Sequence, residues 1–122
     1  MGFIASTSLV TDTAITVPNL SGGTNGKIVR VNGTNTVINA SYNDTAVQLN
    51  TILLKQNNEY YAYGVVTGLS GLSPGSPYFV GSDGSLTATP PTPSSTIRVL
   101  YVGFALNTTD FLFRPGIPIS GS

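Results

Sequence analysis

The side chains that could carry out chemistry are few in this 122-residue chain. The chain has no histidine, cysteine or tryptophan, and its five basic residues balance five acidic ones. General acid–base catalysis needs a group that titrates near neutrality, or two carboxyl groups with well-separated pKa values. The carboxyl groups are Asp12, Asp44, Glu59, Asp83 and Asp110. Several of these stand in turn-like sequences, where aspartate accepts backbone hydrogen bonds, so we expect a non-enzymatic protein without catalytic residues.

Other reactive or ligand-binding groups are also scarce. Serine, threonine and tyrosine hydroxyls have no histidine base to activate them. Without histidine or cysteine, a metal ion would need a cage of carboxylates, and no spaced aspartate motif is present. The glycine-rich stretches lack the Lys-Ser/Thr pair of a phosphate-binding loop. We therefore expect no metal and no cofactor.

Net charge and hydropathy indicate what the chain does not bind. A net charge of zero lacks the positive surface that neutralises several phosphates, so nucleic acid is not expected as a partner. The densest apolar stretch, Tyr60 to Val66, is far shorter than the ~20 residues that cross a bilayer, so no membrane partner is expected either. No secretory signal pattern is visible at the start, which predicts synthesis in the cytoplasm of the producing cell.

Glycine and proline interrupt the sequence often, and the runs between them are rich in residues that favour strands. Two hairpins are predicted, one with strands at Lys27 to Val31 and Thr36 to Ala40, the other with strands at Tyr78 to Val80 and Ser85 to Ala88. In the second hairpin Gly84 is expected at a positive φ. A long strand at 97–106 and a short one at 110–114 follow. The predicted fold is all-β, a compact hairpin-built sandwich or barrel-like domain with at most one short helix.

The segment from Asn43 to Thr67 has two interpretations. Asn43, Asp44 and Thr45 could cap a short helix that runs through Leu54. Alternatively, Val47, Leu49, Thr51 and Leu53 alternate as in a strand, which would turn at 56–58 into a strand from Glu59 to Thr67. The hairpin is preferred because the tyrosines and valines of its second strand favour β structure.

The sequence also contains an internal echo at an offset of 49 residues. Ser21-Gly22, Gly26, Val31 and Val37 fall onto Ser70-Gly71, Gly75, Val80 and Leu86. A duplicated hairpin unit and a chance recurrence of a common β pattern both explain this echo. Either way, two similar hairpins are expected to pack together.

Both ends of the chain are predicted to be arms. We divide the sequence into an N-terminal arm at 1–17, a β domain at 18–114 and a C-terminal tail at 115–122. Pro115 and Pro118 lack the amide donor that a ladder needs, so an extended tail is expected. Ile117 and Ile119 in that tail, and Phe3 and Ile4 in the N-terminal arm, are apolar side chains that need a surface to lie on.

The tyrosine cluster is the other candidate for binding. In a regular strand Tyr61 and Tyr63 share one face with Glu59 and Val65, whereas Tyr60 faces the other way with Val66. Exposed aromatic side chains fill protein interfaces or stack on sugars. The candidate contact residues are therefore Phe3, Ile4, Tyr61, Tyr63, Ile117 and Ile119.

The last half of the chain resembles a β-rich virion module of tailed bacteriophages. The resemblance is carried by residues 68–91, with Gly75-Ser76-Pro77-Tyr78 and Gly84-Ser85-Leu86-Thr87, by Val102-Gly103-Phe104-Ala105-Leu106 and by Phe111-Leu112-Phe113-Arg114-Pro115. Such modules occur in capsid decoration (cement) proteins and in tail-fibre and spike proteins, and they have no catalytic residues to carry over.

The resemblance implies a structural protein of the virion. We expect a decoration protein that binds the major capsid protein on the outer capsid surface as a homo-oligomer, most simply a homotrimer, with its arms on neighbouring subunits. A neutral chain repels its own copies weakly, which agrees with a subunit of an assembly. The alternative is a tail-fibre or spike module that recognises host-surface glycans, with the tyrosines as the platform.

Overall fold

The computed structural model describes residues 14–121, and within this range the regular structure is mainly β strands. The strands are β1 (Ile15–Thr16), β2 (Ser21–Gly22), β3 (Lys27–Gly33), β4 (Thr36–Asn39), β5 (Ile52–Gln56), β6 (Glu59–Val66), β7 (Pro77–Val80), β8 (Leu86–Thr87), β9 (Arg98–Val99), β10 (Tyr101–Ala105), β11 (Phe111–Phe113) and β12 (Ile119–Ser120). One short helix, α1 (Ala46–Leu49), and a 3₁₀ turn at Ser82–Gly84 complete the described elements. The predicted all-β class with a single short helix is confirmed.

Ten of the twelve described strands form two sheets that share β6, and β9 and β12 form a separate two-stranded pair. The first half of β6 pairs with β5 on one side and β1 on the other, and β5 continues through β3 and β4 to β2. The last three residues of β6 pair with β11, which continues through β10 and β7 to β8. All these pairs are antiparallel except β2 with β4. The strand order does not close into a barrel, so a two-sheet sandwich describes the molecule.

The buried apolar side chains form two clusters. The main core lies between the sheets and joins Ile28 and Leu54 of the first sheet to Tyr78, Val102 and Phe111 of the second. The second core covers the other face of the first sheet and consists of Val29, Val37, Leu53 and Tyr60, with Val17, Leu20 and Ala62 packed against it. Because alternate residues of a strand point to opposite faces, neighbours such as Ile28 and Val29 enter different cores.

Both predicted hairpins are present. Val31 faces Val37 across β3 and β4, and Val80 faces Leu86 across β7 and β8. Gly84 has a φ of +72°, as expected for the turn of the second hairpin. A Cβ on Gly84 would meet the carbonyl oxygen of Ile28, so the turn also needs glycine to approach β3 closely.

The segment between the hairpins combines parts of both interpretations. Thr45 accepts a hydrogen bond from the Gln48 amide at 3.2 Å, and the Gln48 side chain accepts one from the Thr45 amide at 2.9 Å. This capping box fixes a helix over 46–49. The predicted strand from Val47 through Leu53 was therefore wrong before Ile52, and the alternative helix ends well before Leu54. The hairpin itself is correct, since β5 turns into β6 at Asn57 and Asn58, which both have positive φ.

Two predictions near the C-terminus need correction. The predicted strand at 97–106 is divided between β9 and β10 at Leu100, whose carbonyl oxygen accepts a bond from the Val80 amide at 3.1 Å. The C-terminal tail was predicted to form no strand pairing, but β12 pairs with β9 after Pro118. Proline removes a donor only at its own position, so pairing resumes at the next free amide. In the described range, neither helical segment has the length and apolar character needed to cross a membrane.

Candidate interaction surface

The C-terminal segment is an exposed strand held against the domain. The Gly116 amide donates to the carbonyl oxygen of Tyr101 at 2.8 Å, and the Gly121 amide donates to that of Ser94 at 3.1 Å. Between these anchors Ile117 is 80% exposed and Ile119 is 60% exposed. The backbone is therefore fixed while two aliphatic side chains face outward, which is the property expected of a contact surface.

The three tyrosines of β6 do not form one surface. Tyr61 is buried in the main core, and Tyr60 is buried in the second core. Tyr63 is 40% exposed and lies opposite Ile15 of β1, another exposed apolar residue. Of the predicted tyrosine contacts, Tyr63 is therefore at the surface and Tyr61 is in the interior. Phe3 and Ile4 lie outside the described residues.

The predicted division of β6 into faces is correct for Tyr60 and Tyr61 and wrong after Gly64. Tyr61 and Val66 both belong to the main core, although strict alternation places them on opposite faces. Gly64 lies between them with a φ of +114°, a backbone conformation that interrupts the regular pleat. Val66 consequently turns into the main core instead of following Tyr60.

The buried tyrosines are anchored by their hydroxyl groups. The Tyr61 hydroxyl donates to Glu59 Oε1 at 3.1 Å. Burial, and then the hydrogen bond and the negative charge of Glu59, raise the pKa of Tyr61 above its ordinary value. The Tyr60 hydroxyl donates to the carbonyl oxygen of Gly22 at 2.8 Å, and Lys55 Nζ lies 5.3 Å from the centre of the Tyr60 ring. Both phenols thus hold the structure together.

A second apolar surface, not identified from the sequence, covers the outer side of the second sheet. We call it the aromatic face, and it consists of half-buried side chains on four neighbouring strands: Val65, Phe79, Tyr101, Phe104 and Leu112. Phe79 and Tyr101 make an edge contact with ring centres 6.1 Å apart. Phe104 lies opposite Leu112, and Leu112 lies opposite Val65. At its rim Arg114 lies over the Phe104 ring, 5.5 Å from its centre.

A bulge in β10 explains why this face was missed. Tyr101 and Phe104 are three residues apart, so alternation places them on opposite faces of a regular strand. Gly103 has a φ of +137°, and the pairing of β10 with β7 shifts between Tyr101 and Gly103. A Cβ at Gly103 would meet the carbonyl oxygen of Leu112. A glycine inside an apolar strand is the one sequence signal that could have indicated the bulge.

Three of the carboxyl groups considered for catalysis accept hydrogen bonds from neighbouring side chains. Asp44 Oδ2 accepts from Arg30 Nε at 3.0 Å, Asp83 Oδ1 from Asn39 Nδ2 at 3.2 Å, and Asp110 Oδ2 from Asn107 Nδ2 at 3.1 Å. Among residues 14–121 there is no group of three or more acidic side chains that could hold a metal ion. A polar cleft of about 410 Å³, lined in part by Lys27, Gln56 and Tyr78, lies where the two sheets meet.

Comparisons with known proteins do not assign the chain to a group. No protein-family model matches it, and neither curated proteins nor solved structures give a match. Two apolar surfaces, the C-terminal strand and the aromatic face, are the candidates for binding a partner.

Proposed function

We propose that this protein is a non-enzymatic structural protein of a phage virion, which decorates the capsid by binding the major capsid protein on its outer surface. The observation that carries the proposal is the C-terminal strand, where a backbone fixed by hydrogen bonds presents Ile117 and Ile119 to solvent. The resemblance of residues 68–115 to virion modules supports it. In this proposal the protein is made in the host cytoplasm, acts on the virion surface and binds as an oligomer, most simply a trimer.

In this mechanism, binding consists of apolar burial and strand pairing along the edge of β12, which is already ordered. The free side of β12 offers main-chain groups to an extended segment of the capsid protein, and the two isoleucines fill apolar hollows beside it. Each buried isoleucine contributes about 1.5 to 3 kcal/mol before the cost of association. Copies joined in one oligomer bind neighbouring sites and add avidity. Because the strand is already ordered, little conformational entropy is lost on binding.

The tyrosine cluster of β6 does not supply the aromatic platform that glycan recognition would need there. A platform for sugars needs aromatic rings that lie exposed beside one another. Tyr60 and Tyr61 are buried in different cores, which leaves Tyr63 as the exposed ring of the cluster. The tyrosine platform on which the receptor-binding alternative depended is therefore not formed.

The test is co-sedimentation with capsids that lack the protein. We expect wild-type protein to remain on the capsids and the double variant Ile117→Ser, Ile119→Ser to lose at least about tenfold in affinity. Val47→Ser is the matched control, because Val47 is 77% exposed on the helix and lies outside the C-terminal strand. Point variants are preferable to deletion of 116–122, since deletion also removes the hydrogen bonds to Tyr101 and Ser94.

Two results would contradict the proposal. The contact is wrong if the double variant stays on capsids as firmly as the wild type. The function is wrong if intact protein ignores capsids and binds host cells, which would favour the receptor-binding alternative.

A further inference from the structure

The chain divides into two β units whose hairpins follow one another in the same order. The first unit spans residues 15–63 and the second 64–113. Three cross-strand pairs of the first unit recur 49 residues later: Arg30 with Ile38 as Phe79 with Thr87, Val31 with Val37 as Val80 with Leu86, and Arg30 with Ile52 as Phe79 with Tyr101. The two hairpins therefore share one register, which agrees with a duplication of the unit. The register changes after the bulge in β10, and the register of β5 with β6 does not recur in β10 with β11.

The segments that lead into the two units are equivalent too. In the first unit, Val17 and Leu20 pack on the face that carries Val29 and Leu53. Forty-nine residues later, Val66 and Leu69 pack on the face that carries Tyr78 and Val102. Each unit therefore covers the same one of its two faces with the segment that precedes it.

The opposite face of each unit, which its preceding segment does not cover, has different surroundings in the two units. In the first unit it carries Ile28, Ile52 and Leu54, and it is buried in the main core against the second unit. In the second unit the equivalent face carries Tyr101 and Phe79, and it is the aromatic face. The units are thus stacked in the same orientation. In the first unit this face packs onto the second unit. In the second unit the equivalent face has no packing partner among the described residues.

The composition of the aromatic face is not that of a terminal surface. Repeat proteins end in units whose outer face is polar, because an apolar end recruits further units. Here the outer face consists of three aromatic and two aliphatic side chains, with Arg114 at the rim. The chain carries no net charge, so copies are not kept apart by electrostatic repulsion.

We propose that the aromatic face is the surface at which a second copy of this chain docks. The partner is a second copy because the equivalent face of the first unit already packs on a unit of the same kind. The C-terminal strand leaves the domain beside this face, since Gly116 bonds to Tyr101, and it remains available for a different partner. The inference goes beyond capsid binding and is tested with no capsid present.

The experiment is sedimentation equilibrium of the full chain at micromolar concentration. We expect wild-type protein to associate, and Leu112→Glu to weaken the association by at least about tenfold, because the new carboxylate would be buried between copies. Thr87→Arg is a second variant at the edge of the same face, opposite Phe79, and it leaves every apolar side chain in place. Val47→Glu is the control, since it adds the same charge at an exposed site of the first unit.

Far-ultraviolet circular dichroism verifies that each variant is folded. If Leu112→Glu does not fold, Thr87→Arg decides the result. Loss of association in the folded face variants but not in Val47→Glu supports the proposal. A monomeric wild type, or face variants that associate as strongly as the control, would overturn it, whatever the outcome of the capsid experiment.

Discussion

At the scale of single residues, the pair formed by Tyr61 and Glu59 gives the fold a dependence on alkaline pH. The folded state raises the pKa of Tyr61 above the ordinary value of 10.0, mainly through burial. In the unfolded chain this phenol ionises near its ordinary value, whereas in the folded state it keeps its proton. Its contribution to stability is therefore complete below pH 10.0 and is lost as pH rises toward the folded pKa.

We predict that Tyr61→Phe removes this dependence. Relative to Tyr61→Phe, wild-type protein should lose free energy of unfolding as the pH rises above about 10, since only the wild type releases this proton on unfolding. Urea titrations of both proteins from about pH 8 to pH 11 measure the difference. Tyr63→Phe controls for removal of a phenol at an exposed position. If the difference in free energy of unfolding between wild type and Tyr61→Phe stays constant over this pH range, folding does not raise the pKa of Tyr61.

Residue positions were predictable from the sequence wherever the strands are regular. Alternation correctly separates Ile28 from Val29 and Leu53 from Leu54, and each pair divides between the two cores. It fails after Gly64, whose positive φ interrupts the regular pleat, so Val66 enters the main core together with Tyr61. A sequence shows that a glycine is present but does not show which φ it adopts, so the aromatic face could not be derived beforehand.

At the scale of elements, the turn of the second hairpin allows two effects of a glycine to be separated. Gly84 and Gly75 have similar backbone conformations, with φ of +72° and +79°. A Cβ on Gly75 would meet nothing within 4 Å, whereas a Cβ on Gly84 would meet the Ile28 carbonyl oxygen and lie 3.2 Å from Lys27 Cβ. Backbone strain applies at both positions, and steric exclusion applies only at Gly84.

We predict that Gly75→Ala lowers the free energy of unfolding by about 1 kcal/mol, as expected for alanine in the left-handed region. Gly84→Ala should cost at least about 1 kcal/mol more, because β3 must move away from the turn. Gly84→Val should be more destabilising still. Urea unfolding at neutral pH measures all three variants. Equal losses at the two positions would mean that the turn does not press against β3.

The helix and hairpin between residues 43 and 67 show how far element prediction can go. The helix and strand interpretations relied on overlapping residues. Each was partly right, because apolar residues with helical spacing and with the alternation of a strand both occur around Leu49 and Leu53. The reciprocal bonds of Thr45 and Gln48 favour the helix over 46–49. The helix depends on a local capping box, whose residue spacing is visible in the sequence. The strand at 52–56 depends instead on its pairing with β3.

At the scale of the whole molecule, the 49-residue echo anticipated the architecture better than any single strand did. The sequence alone could not distinguish duplication from chance, because the matched positions are the glycines and valines common in β proteins. The hairpin register of β3 with β4 recurs in β7 with β8, which agrees with duplication, whereas the register of β5 with β6 does not recur in β10 with β11. The stacking of one unit on the other depends on long-range packing in the main core, which no local pattern reports.

That shared core predicts that the two units unfold together. Leu54 in the first unit and Leu100 in the second are both fully buried in the main core, so each contributes to the stability of both units. Leu54→Ala and Leu100→Ala should each lower the free energy of unfolding by about 2 to 5 kcal/mol and shift one common transition. Leu106→Ala, at a leucine that is 46% exposed, should change it by less than about 0.5 kcal/mol. Circular dichroism and tyrosine fluorescence should give coincident unfolding curves for every variant. If Leu54→Ala instead produced an early transition that left part of the signal unchanged, the units would be independent domains, and the stacked interface would not be the model for contact between copies.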